Sequence, residues 1–237
     1  MKYYSLIFIL LLFSCSKDDN SQTYINTLLD RTTIKNADGT IVKTTDYEYS
    51  INDIKKITET NSNGQIFTST LNYNNEGKVT SISYSDGTEV FYTYSFFSDN
   101  IIESVIQANG TITKHRYSYD QVQVISDKKY ENDIFVCETN YIYDGFTINV
   151  FNNCTAENLV IQQDGTTISP LATVYEYQLL NLNNLGSRNF TSILNVNTNQ
   201  HTTYVYDEYN DRNLVLNKKM YVNGVLTNTI TYEYDLR

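Results

Sequence analysis

The sequence predicts an all-β protein: one long antiparallel meander of about 15 strands, strongly curled, barrel-like or folded into a sandwich. Three observations predict it. Turn signals recur every 11 to 12 residues, among them Asp38-Gly39, Asn63-Gly64, Asp86-Gly87, Asn109-Gly110, Asn132-Asp133 and Asp144-Gly145. Between turns lie runs of about eight residues rich in Thr, Ile, Val and Tyr, which suit a pleated, half-buried surface. Within them apolar and polar positions alternate, as Val90, Tyr92 and Tyr94 do with Glu89 and Thr93, and no long stretch carries a helical period. A sheet of more than about ten strands must curl, split or close. With no helices to cover its apolar face, it must turn that face upon itself.

Composition narrows the class. Apolar residues make up 41% of the 237, enough for a core, and one Pro and nine Gly exclude collagen and Pro-rich or Gly-rich arrays. Twenty-seven acids against 17 bases leave a net charge of −10, which disfavours a nucleic-acid partner held through phosphates.

Taken in chain order, Met1-Lys2 supplies a positive charge and Tyr3 to Phe13 is apolar, too short to span a bilayer permanently. Leu12-Phe13-Ser14-Cys15 resembles the lipobox of bacterial lipoproteins. That resemblance implies a signal peptide over residues 1–14 and a lipid on the Cys15 thiol, the membrane anchor of the mature chain. Several acyl chains at about 0.8 kcal/mol per buried CH₂ would make the anchor durable. Ser16-Lys17-Asp18-Asp19, in a tether over 15–23, is similar to the export signal of Bacteroidota lipoproteins. It implies an outer-membrane lipoprotein facing the cell exterior.

Residues 24–237 read as a single β domain. Seven of the nine Gly follow Asn or Asp, the pairing that suits type I′ hairpin turns, in which both central residues have positive φ. A coarser repeat is superimposed. Tyr-x-Tyr occurs at 47/49, 92/94, 117/119, 141/143, 175/177, 204/206 and 232/234, with Leu71-Asn72-Tyr73 as a degenerate copy. Two strands make one unit, so the pairs form a belt along one rim. Packing against aliphatics across the hairpin (Ile54 and Ile57, Val79 and Ile82, Val122 and Val124) accounts for the belt more simply than a ligand platform does. Tyr117-Ser118-Tyr119-Asp120, Tyr141-Ile142-Tyr143-Asp144, Tyr204-Val205-Tyr206-Asp207 and Tyr232-Glu233-Tyr234-Asp235 resemble the YD repeats of RHS-type proteins. The resemblance implies an extended sheet curling around a hollow, as in small YD-repeat lipoproteins of Bacteroidota.

An extracytoplasmic chain whose first thiol is lipidated leaves Cys137 and Cys154 to pair with each other. If Gly145-Phe146 form a type II′ turn, Cys137 lies directly opposite Cys154; a type I′ turn at Asp144-Gly145 would instead set Cys137 against Asn152. Catalytic signals are thin. His115 and His201 lie in different strands without a metal-binding motif, and there is no nucleophile elbow or phosphate loop. The Asp residues after the Tyr pairs read as turn residues. The acid-rich 207–211 segment lacks the spacing of a known calcium loop. No cofactor, metal or catalytic residue is therefore assigned. The expectation is a non-enzymatic surface lipoprotein binding a glycan, peptide or envelope protein, with a structural envelope component as the alternative and a hydrolase third. Loops at the tyrosine rim are where a ligand would sit, with Phe96, Phe97, Tyr209 and Arg212 as the candidate contacts.

Overall fold

The computed structural model describes residues 27–51, 53–98, 100–121, 123–168 and 188–236. The expected signal peptide and tether, Cys15 and the pair Tyr175/Tyr177 lie outside the described residues. Among the described residues sixteen strands, one more than the count from turn spacing, close into an antiparallel barrel. The first half comprises β1 (Thr27–Asn36), β2 (Ile41–Ser50), β3 (Asp53–Asn61), β4 (Ile66–Tyr73), β5 (Val79–Tyr84), β6 (Glu89–Tyr94), β7 (Ile101–Ala108) and β8 (Thr111–Asp120). The second comprises β9 (Gln123–Glu131), β10 (Ile134–Asp144), β11 (Thr147–Asn152), β12 (Glu157–Ile168), β13 (Arg188–Asn195), β14 (Gln200–Tyr209), β15 (Val215–Val222) and β16 (Val225–Leu236). Each strand pairs with its chain neighbours, and β16 returns to β1 from Thr27↔Leu236 to Asn36↔Asn228. Closure resolves the choice between barrel and sandwich, and it removes every sheet edge.

Side chains alternate between the two faces of the wall. The tyrosine face is concave and buried: Leu29, Ile54, Val79, Ile101, Ile148 and Val215 are almost completely covered. Leu29, Tyr47, Ile54, Ile57, Leu71, Val79, Ile82, Val215 and Tyr232 form one continuous core, with Tyr49, Tyr73, Tyr92, Tyr206 and Tyr234 packed against it. The convex face carries ion pairs at mid-strand: Arg31–Asp46, Lys56–Glu48, Arg116–Glu103 and Lys219–Asp207. A wall exposing such pairs suits water; a bilayer-spanning barrel needs an apolar outer band about 25 Å tall.

Six of the hairpin turns divide into two kinds, which corrects the expectation that the Asx-Gly pairs are type I′. Asn109-Gly110, Asn132-Asp133 and Asn223-Gly224 have positive φ at both positions and are type I′. At Asp38-Gly39, Asn63-Gly64 and Asp86-Gly87 only the glycine is left-handed. There Gly39 N–H donates to Asn36 O at 3.0 Å, closing a type I turn, and Asn36 pairs with Thr40. The side-chain oxygens of Asp38, Asn63 and Asp86 accept from the N–H two residues on, at 2.8, 3.0 and 2.9 Å. These backbone bonds hold the Asp38 and Asp86 carboxyls below the usual carboxylate range. The acceptor function, not glycine alone, therefore selects Asp or Asn in these turns.

Gly145 has φ 58 and Asp144 lies opposite Thr147, the register of a type II′ turn. Extending that register sets Cys137 across from Cys154, and the structure joins them with Cα atoms 5.1 Å apart.

Candidate functional site

The most regular feature of the concave wall is a ladder of tyrosine hydroxyls. Tyr49 donates to Leu29 O, Tyr73 to Ile54 O, Tyr94 to Val79 O and Tyr119 to Ile101 O, at 2.7–2.8 Å. Tyr143 donates to Val124 O, Tyr206 to Phe190 O and Tyr234 to Val215 O, at 2.7–3.0 Å. Every donor is the second tyrosine of its unit, and it reaches back to the main chain of the strand immediately before its own. The acceptor is repeatedly the aliphatic that faces the preceding unit's second tyrosine: Ile54 opposite Tyr49, Val79 opposite Tyr73, Ile101 opposite Tyr94, Val124 opposite Tyr119. At those four positions the register shifts by one residue, a bulge that bends the strand into the rim.

The ladder explains the degenerate copy. The second position must supply a hydroxyl, and Tyr73 keeps it; the first needs only to fill space, and Leu71 is buried there. Burial pushes the phenols of Tyr119 and Tyr143 up to about 12 and raises Tyr117, Tyr206 and Tyr232 as well. The belt is thus chiefly architectural, as packing against Ile54, Val79 and Val124 had indicated.

Polar groups share this wall. His115 Nδ1 lies 2.9 Å from Asp127 Oδ1 and 3.1 Å from Oδ2, and its ring stacks on Tyr117 at 6.3 Å between centroids. Ser104 faces His115 across β7 and β8, so serine, histidine and aspartate occupy three consecutive strands. Sequence spacing concealed this grouping; the register across two hairpins creates it. Ser104 is only 4% exposed, however, and its hydroxyl shares a 2.8 Å hydrogen bond with the Tyr117 hydroxyl. That is a buried structural network rather than an activated nucleophile, which requires a serine–histidine bond. Further round the wall, the Lys218 ammonium sits 4.4 Å from the Tyr204 ring centroid and 5.7 Å from that of Tyr206, and burial lowers its pKa to about 8.

The acid-rich turn is likewise occupied by its own chain. Asp207 holds Lys219 at 2.5 Å, not its own turn, while Asn210 Oδ1 accepts from the N–H groups of Arg212 and Leu214.

At the tyrosine rim, Phe96 and Phe97 are each 94% exposed and meet edge to face with centroids 5.2 Å apart. Their loop is closed by Ser95 N–H donating to Asn100 O at 2.8 Å and is tied to its neighbour by Asn100 Nδ2 donating to Gln121 O at 3.0 Å. Tyr209 is half-exposed, its hydroxyl 3.5 Å from Tyr206 O, and Arg212 contacts Thr27 at the start of β1. The four candidate contacts do not converge. Phe96 and Phe97 join β6 to β7, whereas Tyr209 and Arg212 lie between β14 and β15, eight strands away in a ring of sixteen. Eight spacings of about 4.8 Å put them on opposite sides of the rim, too far apart for one small ligand.

No protein-family profile matches the chain, and no curated protein does. Solved structures do. A porin-like protein from Bacteroides uniformis superposes with a TM-score of 0.62 at 17% identity, covering 87% of this chain and 96% of that one. A porin-like protein from Bacteroides vulgatus gives a TM-score of 0.34 at 12% identity, over 88% and 99% of the two chains. A chain of the TcdB2-TccC3-Cdc42 structure gives 0.33 at 13% identity, covering 82% of this chain and 9% of its own length. At these identities the first likeness is one of fold: the barrel architecture recurs in a solved protein of matching length.

Proposed function

We propose that this chain is a non-enzymatic YD-repeat barrel of the cell envelope, held to the outer membrane by a lipid on Cys15 and facing the exterior. Its tyrosine rim meets an envelope constituent: a glycan, a peptide or a protein. The observation that supports this reading is the Phe96–Phe97 pair, almost wholly exposed on a loop fastened at both ends to a rigid wall. Exposed aromatics on such a loop give a binding surface at little entropic cost. Charged pairs on the convex wall support a barrel standing in water beside its membrane rather than within it. The alternative, a purely structural component, draws on the hydroxyl ladder, which commits its tyrosines to the architecture.

The anchor is tested by labelling cells with radioactive palmitate: Cys15→Ala should abolish incorporation, and external protease on intact cells should digest the barrel. A glycan and envelope-protein array then compares Phe97→Ala with Tyr209→Ala. Because the two residues lie on opposite sides of the rim, loss in one variant alone identifies the side used. Retention in both removes the rim, and no binding at all with unchanged stability favours the structural alternative.

A further inference from the structure

We propose that Phe96 and Phe97 rest on the lipid bilayer, so that the tyrosine rim faces the membrane and the far rim points away. The proposal goes beyond the reading above and rests on its lipid at Cys15. The chain enters the barrel at this rim: Thr27 opens β1 opposite Leu236 and touches Arg212 of the β14–β15 turn. Eleven residues separate Cys15 from Thr27. Fully extended at 3.3–3.6 Å per residue, they hold this rim within about 40 Å of the acyl chains.

The rim carries the groups an interface accepts. Besides the two phenylalanines, Ile51 is 84% exposed in the β2–β3 turn with φ 61, a left-handed conformation that a β-branched side chain disfavours. A strained, outward isoleucine and an outward aromatic pair are unfavourable in water; shallow insertion among headgroups relieves both exposures. The opposite rim exposes aliphatics such as Ile134 and Val225, and its aromatic pair is less exposed: Phe135, 52% exposed, packs edge to face on Tyr130 with centroids 5.7 Å apart. Charge specifies the surface further. Exposed Asp120 and Asp144 end strands at the tyrosine rim and exposed Asp235 is next to last in β16, which suits zwitterionic headgroups and opposes anionic ones.

The chain contains no tryptophan, so one introduced indole reports alone. The experiment uses lipidated full-length chain carrying Phe97→Trp, or Ile134→Trp at the far rim, in phosphatidylcholine vesicles with or without brominated acyl chains. Emission from the Phe97→Trp indole should move to the blue and lose intensity in the brominated vesicles, while the Ile134→Trp indole should be unaffected. Adding phosphatidylglycerol should weaken the quenching. Equal quenching at both rims, or none at either, overturns the orientation. An indole at 97 unquenched by lipid but shifted by an added glycan or envelope protein overturns the bilayer assignment and leaves the wider reading intact. A mass spectrum without acyl chains on Cys15 overturns both together.

Discussion

At Tyr94 and Tyr119 one side chain performs two tasks: the ring fills the concave wall, and the hydroxyl gives the carbonyl of Val79 or Ile101 a donor. Phenylalanine would keep the first and lose the second. Tyr94→Phe and Tyr119→Phe should each lower unfolding stability by about 1 kcal/mol in urea titrations, since each leaves an acceptor unmatched at unchanged packing. The phenols also impose a pH signature. Lys218, with a folded pKa of about 8, is lower than in the unfolded chain, so the unfolded state binds more protons above pH 8 and stability rises with pH there. The buried tyrosines act oppositely: their folded pKa values exceed the unfolded value near 10, so stability falls once pH passes 10. Thermal midpoints should therefore climb between pH 8 and about 10 and then drop, and Lys218→Met should flatten the climb while leaving the drop. None of the seven hydroxyl bonds was legible in the sequence. Each crosses diagonally to the neighbouring strand, and that reach depends on register and on bulges that no local pattern encodes.

Hairpins are the level at which sequence spoke most clearly. Thr-, Val- and Tyr-rich runs between Asx-Gly turns gave strands, because alternation and turn chemistry act within ten residues. The turn subtype was less accessible: Asp38-Gly39 and Asn109-Gly110 look alike, yet the first carries one more loop residue and a side-chain acceptor bond. The β10–β11 hairpin shows the opposite case, where a turn hypothesis at Gly145 determines the partner of every residue up to Cys137. That bridge encloses about 18 residues, and a double Cys137→Ser/Cys154→Ser variant should lose roughly 3 kcal/mol of stability. Ellman titration of the unfolded, unreduced wild type should find no free thiol among these two; finding both would refute the pairing.

For the molecule as a whole, closure was beyond the sequence's reach. Pairing of β1 with β16 joins residues about 200 positions apart, and strand composition cannot specify it. For the same reason the rim candidates were legible as exposed aromatics but not as two separate groups, because position around a ring exists only once the ring is closed. Closure also predicts a vulnerability. A chain ending before Val225 would lack β16 and present β1 and β15 as open edges, templates for pairing with other chains. Size-exclusion chromatography of that truncation should show self-association, with the intact chain running as a smaller species.

The hydroxyl ladder has a direction. Every donor lies later in the chain than its acceptor, by 15 to 20 residues, from Tyr49 on Leu29 to Tyr234 on Val215. A chain that enters its compartment amino terminus first can therefore assemble like a ratchet. Each arriving hairpin finds the carbonyl it needs already displayed by the one before, and none must wait for a segment still to come. The exception is the seam, where Leu29 must hold its place until the last strand arrives.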